Sequence, residues 1–128
     1  MNTKLLMTAT SITTGAAAVA LSFLPQEILA SAGMQVSVAG VLVLQVTGAL
    51  YLGMAIMDWM ARDGLLGGVY GKPILLGNLA HFVAGALALL KAASAQSHPS
   101  LWLVAIPYAA FAALFSVALF THPARKGG

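Results

Sequence analysis

Three polar side chains could carry chemistry in an otherwise apolar sequence. Tyr51 lies in one apolar stretch, and Asn78 and His81 lie in the next. If both stretches are membrane helices, Tyr51 and His81 fall at similar depth, and Asn78 lies one turn from His81 on the same face. An ionisable residue deep in a membrane helix is a functional-site hypothesis. Two interpretations remain open: a ligand or proton site, or a neutral histidine whose hydrogen bond to Tyr51 or Asn78 holds the helices in register.

A second set of candidates is charged and lies near one end of these stretches. Asp58 and Arg62 are four residues apart, so they share a helix face and can pair. The expected role of this pair is a salt bridge that ends the helix at the membrane interface. The alternative, which the pairing disfavours, is that Asp58 forms an acidic site for a proton or cation. The glycine-rich stretch 67–72 that precedes the next helix is expected to form a re-entrant or interfacial turn. The alternative is a site for anionic lipid headgroups, formed by Lys72, Arg62 and the backbone N–H groups at the start of that helix.

The sequence lacks the residue patterns of several familiar chemistries. It contains no cysteine, and its glycine-rich stretch 67–72 lacks the glycine spacing of a phosphate-binding loop. His98 and His122 fall at opposite membrane edges, so they cannot share a haem with His81. We therefore expect no metal site and no cofactor. An enzyme that uses His81 and Asp58 together is disfavoured, because their depths differ by about 10 Å on the helix rise.

The composition indicates that the chain lives in a lipid bilayer. Hydrophobic residues make up 60% of the sequence and charged residues only 7%, whereas soluble domains carry about 25% charged residues. The nine charged residues separate charge-free runs of 22, 30, 18 and 33 residues. A membrane-spanning helix needs about 20 apolar residues, so each run can hold one crossing. The net charge of +3 comes from scattered basic residues, and we expect no nucleic-acid partner.

The predicted fold is all-α, an integral membrane four-helix bundle that forms a single transmembrane domain over residues 1–128. The predicted helices span about 5–24, 36–60, 74–91 and 101–121. The connections are a polar turn at 25–36 that could include a short interfacial helix, a glycine-rich loop at 61–73, and a short turn at 92–99. The first stretch also resembles a signal peptide, with small residues at 30–32, but we favour an uncleaved helix.

The distribution of basic residues predicts the orientation. With the N-terminus in the cytoplasm, five basic residues fall on the inner side and only Lys91 on the outer side. The five are Lys4, Arg62, Lys72, Arg125 and Lys126. Trp59 and Tyr70 then lie near the inner interface and Trp102 near the outer one. Both termini are therefore expected in the cytoplasm.

Small residues recur every four positions in three of the predicted helices. Such stripes let membrane helices approach closely, so we expect them to pack within the bundle. The stripes are Thr10, Thr14, Ala18 and Ser22; Ala80, Ala84, Ala88 and Ala92; and Ala105, Ala109 and Ala113. The alternative for the first stripe is a polar conduit lined by its hydroxyls. Pro107 is expected to kink the last helix beside Tyr108.

The segment from Phe23 to Lys91 carries a resemblance to a known group. It contains FLPQEILASAG, VLQVTGALYLGMAIMDWMARDG and GGVYGKPILLGNLAHFVAGALALLK. This pattern resembles small four-helix bacterial membrane proteins allied to the DoxX-like group. The resemblance implies a four-helix bundle in the bacterial inner membrane. Some DoxX-like members are accessory subunits of quinone-linked oxidoreductases.

Two functions follow as expectations. Without a catalytic constellation, the chain is expected to be an accessory or stabilising subunit of an inner-membrane complex, partnered by another membrane protein or by copies of itself. The alternative is an intramembrane binder or carrier of a lipid-like or quinone-like molecule between the second and third predicted helices. Its site residues would be Tyr51, Asn78 and His81.

Overall fold

A computed structural model describes residues 2–64, 68–95 and 99–121 of the chain. Within these ranges there are five α-helices. They are α1 (Thr3–Phe23), α2 (Pro25–Ser31), α3 (Val38–Ala61), α4 (Gly71–Ala95) and α5 (Pro99–Thr121). The chain divides into two compact units. We call Met7–Arg62 the first unit, and Met1–Leu6 with Asp63–Gly128 the second unit.

Four of the helices are long and apolar enough to cross a membrane. They contain 21, 24, 25 and 23 residues. At a rise of 1.5 Å per residue they are about 32 to 38 Å long, against about 30 Å for the hydrocarbon core of a bilayer. The prediction of an all-helical chain with four such helices is confirmed.

The short helix α2 makes the helix count five rather than the predicted four. Pro25 occupies its first turn, where a backbone N–H would lack a helical partner in any case. Gly33 ends it with a φ of 72°, a left-handed conformation that favours glycine. There the N–H of Gly33 bonds the Ala30 carbonyl at 3.0 Å, and the N–H of Met34 bonds the Leu29 carbonyl at 2.9 Å. The predicted short helix within 25–36 is therefore confirmed.

Helix α4 begins earlier and ends later than predicted. It starts at Gly71 and not after Pro73, because a proline in the first helical turn removes no intrahelical hydrogen bond. It continues past Lys91 to Ala95, since alanine has the highest helix propensity. Lys72 and Pro73, which were assigned to the glycine-rich loop, are therefore helical.

In the first unit, α1 and α3 approach each other closely through small residues. The Ser11 hydroxyl donates a hydrogen bond of 2.7 Å to the Ala55 carbonyl. A Cβ placed at Gly15 would lie 3.6 Å from the Cβ of Ala55. Further along α3, a Cβ at Gly48 would lie 2.7 Å from the Ser22 hydroxyl oxygen. Rising residue numbers in α1 thus meet falling numbers in α3, so the two helices are antiparallel.

The small-residue stripe of α1 packs as predicted. Thr10, Thr14 and Ala18 are buried, and Ser22 is half-buried. The Thr14 hydroxyl donates to the Thr10 carbonyl at 2.8 Å, within its own helix. Hydroxyls that bond their own backbone need no water-filled path to satisfy them. This arrangement supports the packing interpretation over the conduit.

The close approach at Gly48 predicts a measurable packing penalty. In Gly48→Ala the new methyl group would lie 3.1 Å from the Ala18 carbonyl oxygen and 3.1 Å from the Leu21 Cβ. Neither atom can rotate away, so we expect the free energy of unfolding to fall by about 1 kcal/mol. Gly53→Ala in the same helix is the control, because nothing lies within 4 Å of its Cβ position. Equal stability of the two variants in a micelle unfolding titration would contradict the close approach.

In the second unit, α4 and α5 form an antiparallel hairpin around an aromatic cluster. Phe82 stacks on Phe111 and Phe115, with ring centroids 5.0 and 5.8 Å apart. Phe82 also meets Tyr108 edge to face at 5.2 Å. Helix α5 continues through Pro107 without interruption. The cluster fixes which faces of α4 and α5 meet.

The small-residue stripe of α4 does not pack as predicted. Ala80, Ala84 and Ala88 are exposed, only Ala92 is half-buried, and the buried face of the helix lies elsewhere. That buried face carries Leu75, Asn78, Phe82, Ala86 and Ala93. The reason is that the large aromatic ring of Phe82 makes more van der Waals contacts than alanines can, and so determines the rotation of α4. The stripe of α5 is divided: Ala105 is buried, Ala109 half-buried and Ala113 exposed.

Candidate functional site

The centre of the α4–α5 hairpin holds a polar pair. The Nε2 atom of His81 lies 3.1 Å from the hydroxyl oxygen of Tyr108, within hydrogen-bonding distance. Both residues are half-buried. The rings are also in contact, with centroids 5.3 Å apart and planes tilted by 51°. This pair joins the two helices through a hydrogen bond in the middle of their apolar sequences.

A glycine and a phenylalanine hold the pair in place. A Cβ at Gly85 would lie 2.6 Å from the Tyr108 Cδ1, so the tyrosine ring rests directly on the backbone of α4. Phe82 also contacts the pair, edge to face with His81 at a centroid distance of 4.9 Å and with Tyr108 at 5.2 Å. The ring of Tyr108 is thus in contact with both the α4 backbone and Phe82. Its hydroxyl is positioned for His81 without the freedom of an exposed side chain.

Asn78 and Tyr51, the other two residues predicted to form a site with His81, lie in different helices. Asn78 is buried in α4, and its side-chain Nδ2 donates to the Ile74 carbonyl at 3.0 Å, one turn earlier in the same helix. Tyr51 is half-buried in α3, in the first unit. The structure thus brings His81 together with Tyr108. The association of His81 with Tyr51 and Asn78 in one ligand site stays a prediction.

Asp58 is the only fully buried acidic residue among those that the structure describes, with 0% exposure. It lies on the face of α3 that also carries Gly48 and Ala55, the positions that contact α1. The salt-bridge interpretation placed it at the end of a helix near the interface, where partial exposure is usual. A buried carboxyl group is stable only when it is paired, hydrogen-bonded or protonated. This burial makes Asp58 a stronger candidate for a specific role than its sequence position indicated.

Arg62 and Lys72 take up different positions at their helix ends. The Arg62 guanidinium lies over the Trp59 ring, 3.9 Å from its centroid, and Nη1 donates to the Trp59 carbonyl. Stacking of this kind stabilises a cation over the face of an aromatic ring. Lys72 is exposed in the first turn of α4, and its backbone N–H donates to the Gly68 carbonyl at 2.9 Å. Pairing of Arg62 with Asp58 and a shared headgroup site with Lys72 stay predictions.

A surface ion pair lies at the start of α1. The Lys4 ammonium is 2.7 Å from the Asp63 carboxylate, and both side chains are more than half exposed. Such a pair contributes about 0 to 1 kcal/mol to stability. The ion pair therefore matters mainly for position, because it holds the N-terminal end of α1 beside the segment that follows α3.

The described residues do not form a cluster of side chains that could bind a metal ion. Across 2–64, 68–95 and 99–121, no three His, Asp or Glu side chains lie close enough together to bind one. His98, His122, Arg125 and Lys126 fall outside these ranges.

From the sequence, Tyr108 is named only as the residue beside Pro107 and is not connected to His81. The signal that could have found the pair was depth. His81 lies ten residues after the start of α4, and Tyr108 lies thirteen before the end of α5. In an antiparallel hairpin these positions are roughly level. Comparison with protein-family models, curated proteins and solved structures finds no match to the chain.

Proposed function

We propose that this chain is a multi-pass inner-membrane protein that acts as an accessory or stabilising subunit of a larger membrane complex. The observation that carries the proposal is the exposed alanine face of α4, defined by Ala80, Ala84 and Ala88. In lipid, a smooth face of small residues lets another helix approach closely and gain van der Waals contacts. The residues that the structure describes leave this face exposed. A partner helix, from another protein or from a second copy, fits it.

The proposed orientation has both termini in the cytoplasm. The Lys4–Asp63 ion pair agrees with one part of this topology, because it joins the start of α1 to the segment after α3 and so keeps both on the same side. The excess of Lys and Arg predicts that this side is the cytoplasm. Trp59 near the end of α3 and Trp102 near the start of α5 are partly exposed, as interfacial aromatic residues are. The proposed relationship to the DoxX-like group rests on the sequence pattern of 23–91 alone.

Affinity purification from a mild detergent tests the subunit proposal. We expect a membrane protein, or the chain itself in a defined stoichiometry, to copurify reproducibly. Ala84→Trp places a bulky ring on the alanine face and is expected to reduce that copurification at least tenfold. Leu103→Trp is the matched control, because Leu103 is an exposed position of α5, away from that face. A monodisperse wild-type monomer without a reproducible partner would count against an accessory role.

A second candidate function is an intramembrane binder or carrier of a lipid-like or quinone-like molecule. The observation that favours it is the half-buried His81–Tyr108 pair, since polar groups in hydrocarbon are costly and usually serve function. Native mass spectrometry tests it. We expect His81→Ala and Asn78→Ala to lose lipid-like molecules that copurify with the wild type. Identical bound species in all three proteins would remove His81 and Asn78 from the site.

A further inference from the structure

We propose that two copies of this chain associate in the membrane through an exposed face of α3, where the Gln45 amides of the two copies hydrogen-bond each other. The inference rests on the proposed insertion of the helices into a bilayer. It goes beyond the proposed subunit role, because it names the occupant of a second surface, on a different helix from the alanine face of α4.

Gln45 lies too deep in α3 for its side chain to reach water. It is seven residues from the start of the helix and sixteen from its end, about 10 and 24 Å at the helical rise. If α3, about 36 Å long, is centred on a hydrocarbon core of about 30 Å, Gln45 lies about 7 Å inside that core. Lysine and arginine have long side chains that bring their charged ends back to the interface. The two methylene groups of glutamine are too short for this, so its amide stays in hydrocarbon.

Gln45 also differs from two other polar side chains of the long helices. The Thr47 hydroxyl donates to the Val43 carbonyl at 2.7 Å, within its own helix. Asn78, the other carboxamide in these helices, is buried and donates to the Ile74 carbonyl at 3.0 Å. Gln45 is exposed, and no residue that the structure describes hydrogen-bonds its side-chain amide. A carboxamide without a hydrogen bond in hydrocarbon is costly, and a hydrogen bond to a second helix removes that cost.

The surface around Gln45 lets another helix approach closely. Residues three and four apart on a helix share a face, and we call this part of α3 the Gln45 face. It consists of Gln45, Ala49, Leu52, Gly53 and Ile56, all of them exposed. The contacts with α1 lie on another side of α3, at Gly48 and Ala55. Nothing lies within 4 Å of the Cβ position of Gly53, and Ala49 carries only a methyl group, so a second backbone can come near the Gln45 amide.

A second copy of this chain fits the Gln45 face better than an unrelated helix does. A carboxamide carries both donors and an acceptor, so two glutamines related by a two-fold axis can exchange a pair of hydrogen bonds. Two-fold dimers bring the same patch of both subunits together. Copies inserted with the same topology have parallel α3 helices, so their Gln45 residues lie at the same depth. The chain's own copy therefore always presents a matching amide where one is needed.

Self-association of the full chain in lipid vesicles tests the inference. The chain contains no cysteine, so Asn2→Cys carries a single donor or acceptor dye. Energy transfer is measured in vesicles of phosphatidylcholine and phosphatidylglycerol over a range of protein-to-lipid ratios, and we expect a dimer. Gln45→Leu nearly keeps the side-chain size and removes the amide, so it should raise the dimer dissociation constant about tenfold. Gln45→Asn keeps an amide and should retain more of the dimer than Gln45→Leu.

Disulfide cross-linking locates the contact between the copies. Ala49→Cys, one turn from Gln45, should cross-link two copies in oxidised membranes, because a disulfide requires Cβ atoms about 4 Å apart. Leu50→Cys is the matched control and should cross-link far less. Leu50 is 66% exposed at nearly the same depth, but it is turned by about 100° around the helix axis. Ala84→Trp should leave self-association unchanged, because Ala84 lies on α4.

Four results would overturn the inference. The first is a wild-type chain without concentration-dependent energy transfer, in which case lipid or another protein covers the Gln45 face; a reproducible copurifying protein would still support the subunit role. The second is an equal dissociation constant for the wild type and Gln45→Leu. The third is cross-linking through Leu50→Cys in place of Ala49→Cys, and the fourth is self-association that Ala84→Trp abolishes. An unchanged circular dichroism spectrum of Gln45→Leu separates loss of the dimer from loss of the fold.

Discussion

Phe115→Ala is expected to lower the free energy of unfolding by about 3 kcal/mol, because it removes a ring from the aromatic cluster of the α4–α5 hairpin. Phe115 is completely buried in α5 and stacks on Phe82 at a centroid distance of 5.8 Å. Removing a buried phenylalanine ring usually costs about 3 to 5 kcal/mol, from lost transfer energy and from the cavity. In lipid the transfer contribution is small, because the ring is as soluble in acyl chains as in the protein. The loss of van der Waals contacts remains, so the expected value lies at the lower end of the range.

The same helix offers a matched control for this substitution. Phe120 is 82% exposed, and Phe120→Ala removes an identical ring from the outer surface. Its expected effect is below about 0.5 kcal/mol. Unfolding of both variants in mixed micelles, followed by far-ultraviolet circular dichroism, gives the comparison. Similar destabilisation by the two substitutions would show that the aromatic cluster does not hold the hairpin together.

Gly85→Ala is expected to destabilise the chain by about 2 kcal/mol. Alanine ordinarily favours a helix over glycine by about 1 kcal/mol, so a loss of stability here requires a steric cause. The added methyl group would lie 2.6 Å from the Tyr108 Cδ1, and overpacking of this kind costs about 1 to 3 kcal/mol. The ring must move away from α4, which also separates the Tyr108 hydroxyl from His81.

Gly77→Ala in the same helix is the control. It shows whether the loss of stability comes from the steric clash at Gly85 or from replacing any glycine of this helix. Nothing lies within 4 Å of its Cβ position, so Gly77→Ala should leave stability unchanged or raise it by up to about 1 kcal/mol. The micelle titration used for Phe115→Ala measures both variants. A stabilised Gly85→Ala would mean that the Tyr108 ring does not rest on the backbone of α4.

Long charge-free runs predict the long apolar helices well, because a charge in hydrocarbon would be costly enough to mark the ends of a helix that crosses a membrane. The observed spans α1 and α3 begin and end within two residues of the predicted limits of 5–24 and 36–60. The short helix α2 is harder to predict. Its seven residues depend on Pro25 and Gly33 for local capping, and not on a long apolar pattern.

The pairing of His81 with Tyr108 could not be predicted from the charge-free runs. Depth along a helix follows from residue number, whereas the direction a side chain faces depends on how the helix is rotated. Soluble helices reveal that rotation through an apolar stripe, but α4 and α5 are apolar on nearly every side. Phe82 and Gly85 determine which side of α4 meets Tyr108, and only their contacts in the folded hairpin show it.

The exposure of the α4 alanine stripe and the burial of Asp58 could not be predicted from the sequence for the same reason: both depend on how the helix is rotated. Alanine is equally compatible with lipid and with a packed interface, so the spacing of Ala80, Ala84 and Ala88 does not say which one they face. Asp58 lies four residues before Arg62, a spacing that favours a surface pair, yet it is fully buried. Burial of Asp58 follows from its place on the α3 face that contacts α1, together with Ala55.

The central claim is that four helices cross a bilayer with both termini in the cytoplasm, and cysteine accessibility tests it directly. The sequence contains no cysteine, so single substitutions can be labelled without background. Asn2→Cys, Tyr70→Cys and Gly128→Cys report the proposed inner side. Gln35→Cys and Ser94→Cys, at exposed positions between α2 and α3 and near the end of α4, report the outer side.

A membrane-impermeant maleimide applied to intact cells, with the outer membrane opened where there is one, distinguishes the two sides. We expect Gln35→Cys and Ser94→Cys to be labelled, and the other three to react only after the inner membrane is permeabilised. Labelling of Tyr70→Cys and Gly128→Cys from opposite sides would contradict the topology. Recovery of a folded, fully reactive protein in the soluble fraction would contradict membrane insertion itself.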